Sequence, residues 1–133
     1  MTGKRDLISG DGRIERKEME TRPWGKMETL YSIPGLRIKR LVVDPGHRTS
    51  TQYHIDRRED MYVVSGTPKI ELGLNYSEVD SPSHVRIGIG VYHRITNIGF
   101  IPLEIIEVST TISGKEASED DIVRVNDDYG RVP

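Results

Sequence analysis

Gln52, His54, Glu59 and His93 are the side chains in this sequence whose types suit a cation site and whose spacing lets them converge on one. Gln52 and His54 stand two positions apart, so on an extended strand, where side chains alternate between faces, both leave the same face. A polar bend at residues 55–58 then lets the next strand, residues 61–64, run back antiparallel to the first and bring Glu59 to the same point. The fourth group comes from farther along: His93 follows the glycines at 88 and 90 and opens an alternating segment. Imidazole, carboxylate and amide oxygen make a mixed nitrogen and oxygen set. That set suits one divalent ion, Zn first, with Mn, Co, Fe or Ni as alternatives. The same two histidines are also readable as hydrogen-bonded core residues, whereas His47 and His84 have no such spacing and read as surface or turn residues.

Other groups have chemistry to offer around that centre. Residues 36–43 (LRIKRLVV) alternate as a half-buried strand, and if Leu41 and Val43 face inward then so does Lys39, a candidate for phosphate binding or proton transfer. An outward, solvated Lys39 is the alternative. Arg57 and Arg58 beside Glu59 and Asp60 read either as a site element or as a charged turn. Glu104 and Glu107 differ by an odd number and face opposite ways, so one of them can line an interior. In the tail, an acidic run at 113–121 gives way to Ile122, Val123 and Val125 and then to Tyr129-Gly130-Arg131. The return of apolar and aromatic residues predicts that the tail docks at the mouth of the fold, with Arg131 or Tyr129 close to a bound substrate. Its removal is then expected to weaken ligand binding and leave metal content nearly unchanged.

The elements that must position these groups are strands. Short alternating segments at 26–32, 36–43, 61–64, 69–74, 84–89 and 101–109 are separated by Gly, Pro, Asn and Asp, with 75–83 read as a polar turn. No sustained helical period appears, so an antiparallel barrel or sandwich is expected. Trp24, the one tryptophan, reads as a packing anchor. Residues 1–20 are polar and charged and read as a flexible arm, leaving 21–133 as the folded domain.

Composition bounds the partners. A chain of 133 residues is one domain with a core of its own. Its formal net charge of -2 creates no field that recruits nucleic acid or an acidic membrane, which directs attention to a small-molecule or protein partner. The absence of cysteine excludes disulfides, thiolate metal sites and a cysteine nucleophile. No signal-type or membrane-spanning apolar run occurs, so a cytoplasmic location is expected.

At its chemically useful residues the chain resembles the cupin superfamily. Gly46, Gln52-x-His54, Glu59 and Gly66 follow the first cupin motif with Gln in place of its first His, and Gly88-x-Gly90-x-x-His93-x-x-x-Asn97 follows the second with Gly in place of its Pro. Together with Arg22-Pro23-Trp24-Gly25, Lys39-Arg40-Leu41, Val63-Val64-Ser65-Gly66-Thr67, Glu119-Asp120-Asp121-Ile122-Val123-Arg124 and Asp128-Tyr129-Gly130-Arg131, these residues are similar to the type II phosphomannose isomerase domain over residues 22–131. In that family the domain is often the C-terminal half of a bifunctional enzyme that begins with a mannose-1-phosphate guanylyltransferase, and residues 1–20 stand where an interdomain linker would be.

The resemblance implies a single-domain all-β cupin, a double-stranded β-helix or jelly-roll barrel, acting as a homodimer. It implies a metal held by Gln52, His54, Glu59 and His93, with Arg57 matching the arginine that precedes the motif Glu. The implied reaction interconverts mannose 6-phosphate and fructose 6-phosphate through a cis-enediol, with Arg57, Lys39 and Arg131 as the positive groups available to the sugar-phosphate substrate. The alternatives are a non-catalytic sugar- or metal-binding cupin and an isomerase for another sugar. Asp56, Asp60 and Met61 stand where the family carries two histidines and an aromatic residue, which is expected to add two carboxylates near the site.

Overall fold

Segments in which every second residue is apolar cover one face of a sheet and need a second sheet to bury it. In the computed structural model, which describes residues 19–73, 77–80 and 82–132, these segments form β1 (Glu20–Arg22), β2 (Gly25–Ile33), β3 (Leu36–Val43), β4 (Thr51–Tyr53), β5 (Arg57–Ser65), β6 (Pro68–Leu72), β7 (Ser77–Asp80), β8 (His84–Ile87), β9 (His93–Asn97), β10 (Leu103–Thr111) and β11 (Val123–Asn126). No helix occurs among the described residues. One sheet has the order β1-β2-β3-β10-β5-β8 and the other β11-β4-β9-β6-β7. Their inner faces meet in a core of Trp24, Leu41, Val43, Met61, Ile70, Ile95, Leu103 and Ile105.

Alternation carries the inner face from apolar to polar along the same strands. On β10, Leu103 and Ile105 are followed inward by Glu107 and Ser109, while Glu104 turns outward to accept from Arg40 Nε at 2.5 Å. On β3 the inward residues are Arg37, Lys39, Leu41 and Val43, and on β5 they are Arg57, Glu59 and Met61. Antiparallel register sets Glu107 between Lys39 and Met61, with Ser109 opposite Glu59, so Glu59 and Glu107 are diagonal neighbours. One end of the barrel is therefore apolar and the other is lined by buried charge.

Glycine allows two of the connections. Gly90 sits at φ 74° in a turn closed by Val91 N donating to Gly88 O at 3.2 Å, just before His93. Gly66 sits at φ 93°, and a Cβ there would lie 2.8 Å from Leu103 Cα and from Pro102 O.

Three expectations change. β5 does not pair with the ligand strand: β4 pairs with β9 and β11, whereas β5 pairs with β10 and β8 in the other sheet. The bend at residues 55–56 carries the chain across the barrel, and Glu59 reaches the histidines from the facing wall. The turn expected at 75–83 contains β7, paired with β6 over Ser77–Asp80, with residues 74–76 and 81 outside the described residues. β1 begins at Glu20, the last residue assigned to the arm, and residues 1–18 lie outside the described residues.

Candidate metal centre and cavity

His54 follows β4, Glu59 lies on β5 and His93 opens β9, and all three are almost wholly buried. Glu59 Oε1 lies 3.4 Å from His54 Nε2 and 3.5 Å from His93 Nε2. One ligand-type atom from each residue falls within 4.8 Å of the others. The tautomers follow from the partners on the far side of each ring. His54 Nδ1 donates to Asp121 O at 2.6 Å and His93 Nδ1 donates to Val91 O at 3.0 Å, because a carbonyl only accepts. In the neutral ring that leaves each Nε2 with a lone pair aimed at Glu59.

The buried oxygen Glu59 Oε1 and the nitrogen His93 Nε2 have no hydrogen-bond partner among the described residues. Such groups are costly unless something takes their place. A divalent cation between them fits this donor set, and the backbone bonds to both Nδ1 atoms are the outer-shell support that ligating histidines require. Gln52 is opposite His93 in the β4–β9 ladder and so shares its face. Its Oε1 accepts from Ser50 Oγ at 2.7 Å, leaving that oxygen a second lone pair.

Arg57 is buried behind this centre. Its Nε donates to Glu59 Oε2 at 3.1 Å and its Nη1 to Ser118 O at 2.8 Å, so it orients the carboxylate and ties it to the tail. Arg58, the next residue, is exposed. Burial alone would push the Glu59 carboxyl up, but the electrostatic surroundings of His54, His93 and Arg57 hold it well below the usual range. Burial lowers His93, which favours the neutral ring.

Beyond Glu59 the interior opens into a cavity lined by Lys39, Glu107, Glu119, Arg124 and Arg131. Lys39 faces it and is ion-paired to Glu119, and burial lowers its pKa. Glu107 stands beside Lys39, and burial, followed by the charge of Glu59, pushes it up to about 7. Arg131 lines the mouth, where Asp127 accepts from its Nε at 2.9 Å and its Nη2 at 2.7 Å. Tyr129 packs against the core under Arg131, with its hydroxyl 2.8 Å from His47 Nδ1.

The tail, residues 118–131, docks as expected and closes one side of the cavity through β11, but through Ile122 and Tyr129, while Val123 and Val125 stay exposed. It also enters the centre itself, through the Asp121 carbonyl on His54 and the Ser118 carbonyl on Arg57. Asp56 and Asp60 lie elsewhere. Asp56 accepts from Ser113 N at 2.9 Å and Ser113 Oγ at 2.7 Å, and Asp60 faces outward to His84 and Arg86 at 2.9 and 3.0 Å. The carboxylates expected to crowd the site are outside it, because the bend and the strand parity turn them away. Met61 is in the core. Glu119, Asp121, Arg124 and Arg22, which in the sequence carried the family resemblance without a site role, enter through tertiary contacts, and of Glu104 and Glu107 it is Glu107 that faces inward.

The two facing antiparallel sheets with an inward His–Glu–His group define a cupin. Among solved structures, the capsular polysaccharide assembling protein CapF from Staphylococcus aureus superposes with a TM-score of 0.68 at 20% identity, covering 81% of this chain and 34% of that one. Oxalate decarboxylase from Lactobacillus farciminis superposes with a TM-score of 0.59 at 21% identity, covering 77% and 33%. The chain belongs to the family described as mannose-6-phosphate isomerase C-terminal, whose pattern matches residues 10–127. It is 38% identical over 129 residues to the mannose-1-phosphate guanylyltransferase of Escherichia coli K12, covering 96% of this chain and 26% of the relative. It is 41% identical over 110 residues to the xanthan biosynthesis protein XanB of Xanthomonas campestris pv. campestris, covering 83% and 23%. The chain thus spans about a quarter of the length of the curated relatives it matches. No helix among the described residues is long and apolar enough to cross a membrane.

Proposed function

We propose that residues 21–133 form a metal-dependent aldose–ketose isomerase that interconverts mannose 6-phosphate and fructose 6-phosphate. The observation that carries this reading is the pair of inward Nε2 atoms meeting an orphaned Glu59 oxygen, in a chain of the mannose-6-phosphate isomerase C-terminal family. His54, Glu59 and His93 would hold one divalent ion, with Gln52 as a fourth ligand. When bound, that ion supplies Lewis-acid polarisation of the sugar's carbonyl and neighbouring hydroxyl.

The chain's own residues supply the rest. Arg57 holds Glu59 in place and acts as a positioning residue, since its Nε and Nη1 are committed to Glu59 and Ser118. Lys39, buried and facing the cavity, is the group assigned to moving a proton between C1 and C2, on the path to a cis-enediol. Its partner Glu119 belongs to the tail, so the tail holds Lys39 in place. Arg131 lines the mouth where the phosphate end would lie, and Tyr129 supports it from below. We propose a homodimer in the cytoplasm; exposed Ile98, Phe100 and Ile101 in one loop favour the dimer, which light scattering of the purified chain tests.

The ion pair between Lys39 and Glu119 also favours a second reading, a cupin that binds the ion and a sugar phosphate without turnover. Deuterium incorporation at C1 or C2 of the sugar phosphate in heavy water separates the two. The protein loaded with Zn, Mn, Co, Fe or Ni is expected to incorporate label with at least one metal. No label with any of them, in protein shown to be folded and loaded, assigns the chain to binding without catalysis.

A further inference from the structure

We infer that Arg124 is the receptor for the phosphate of the ligand, with Arg22 and Arg131 completing a cationic mouth; the identity of that ligand rests on the function proposed above. All three arginines line the cavity. Arg22 is loosely opposed by Glu20 at 3.8 Å, and Arg131 is engaged by both oxygens of Asp127. Glu119 is taken by Lys39 and, at 3.0 Å, by Arg37. Arg124 differs from its neighbours. Its Nε is buried and has no hydrogen-bond partner among the described residues.

A guanidinium directed into a cavity beside two others, with its Nε unmatched, has the geometry for bidentate capture of a phosphate. The cost of assembling it is visible: burial first, then repulsion from Arg131 and Arg22, lowers the Arg124 pKa. A bound dianion would relieve both effects.

Register fixes its distance from the metal centre. Arg124 is opposite Gln52, and Gln52 is opposite His93, so the three form one row on the inner face of their sheet. Adjacent strands lie ~4.8 Å apart, which puts the Arg124 backbone about 10 Å from that of His93. From C1 to the phosphorus of a six-carbon sugar phosphate the chain of about seven bonds traces about 10 Å at ~1.5 Å per bond. A sugar phosphate can therefore reach from the centre at His93 to the fork of Arg124 with its carbinol groups over Gln52.

Calorimetric titration of the full, Zn-loaded chain with mannose 6-phosphate, mannose and inorganic phosphate tests this. Arg124→Gln should weaken mannose 6-phosphate and inorganic phosphate by about 10- to 100-fold, the effect of losing charge-assisted hydrogen bonds. Mannose binding and Zn stoichiometry should not change. Arg124→Lys, which keeps the charge and loses the fork, should recover part of the affinity and shows that the site still folds. Undiminished mannose 6-phosphate affinity in a Zn-replete Arg124→Gln protein overturns the inference, as does a wild-type chain that binds neither phosphate compound. Label exchange with an unaltered KM in Arg124→Gln removes the subsite and leaves the isomerase. Phosphate binding that depends on Arg124 without label exchange removes the isomerase and leaves the subsite.

Discussion

The carbonyl oxygen of Asp121 accepts a 2.6 Å hydrogen bond from Nδ1 of His54, 67 residues earlier in the chain. The same residue's carboxylate accepts from Ile55 N at 2.8 Å and Asp56 N at 3.0 Å. The tail thus orients an imidazole of the metal centre and holds the bend that follows it. Asp121→Ala keeps that carbonyl and removes only the carboxylate that holds the bend, so it should lower metal affinity by no more than about 10-fold, through looser positioning of His54. Truncation from Ser118 should lower it at least as far, contrary to the expectation that the tail serves ligand binding alone. Competition against a chelator measures both, and an unchanged affinity in the truncated chain would sink this account.

Metal content gives the most direct check on the centre. Wild-type protein should take up close to one divalent ion per chain, and His54→Ala and His93→Ala should each lose most of it, because each removes one of few ligands. Elemental analysis of the purified variants decides this. Full occupancy in both rules out the assigned ligands.

Arg57→Ala should destabilise the fold itself, by about 3 kcal/mol, because it leaves the fully buried Glu59 carboxylate without its fixed cation. Arg57→Lys should recover part of that loss. Urea unfolding of the metal-free proteins reads the difference. A variant of normal stability with only a raised KM would instead make Arg57 a substrate contact.

The clasp between Asp127 and Arg131 makes tail docking sensitive to acid. The hydrogen bonds from Arg131 hold the Asp127 carboxyl down at about 2, below its ordinary 3.8. A depressed carboxyl contributes stability that is fully present above its unfolded value and is lost as pH falls through the folded one. The stability advantage of wild type over Asp127→Asn should therefore be constant above about pH 5 and shrink toward pH 2. Thermal melts of the two proteins across that range test the sign, and an advantage that grows on acidification refutes it.

Asp60→His should leave the sugar-phosphate constant unchanged. Asp60 is on the outer side of its strand with His84 and Arg86, so the substitution alters a surface cluster worth about 0.5 kcal/mol and adds no charge to the cavity. Parallel titrations of wild type and variant check this, and a tighter constant below pH 6.5, where the new imidazole gains charge, would return that position to the site.

Much of this protein is written locally. Alternation at 36–43 and 101–109 puts Lys39 on the face of Leu41 and Val43 and sets Glu104 and Glu107 on opposite faces, since parity along a strand needs no knowledge of its neighbours, but only the packed sheets decide which face is the inner one. The spacing of Gln52, His54, Glu59 and His93, and the glycine turn before His93, are equally local. Which sheet each strand joins is not. The bend after His54 reads as the start of a hairpin, yet β5 crosses to the opposite wall, and only that crossing turns Glu59 toward the histidines and Asp60 toward solvent. The tail is the larger case. Its apolar residues announce that it docks, but the atoms that orient His54 and Arg57 are backbone carbonyls of Asp121 and Ser118, and a backbone oxygen carries no side-chain signature. The unmatched Nε of Arg124 is likewise a property of register with Gln52 across two strands far apart in the chain. Chemistry built from side-chain type and spacing is legible in a sequence, whereas chemistry built from backbone groups and cross-strand register exists only once the sheets have closed.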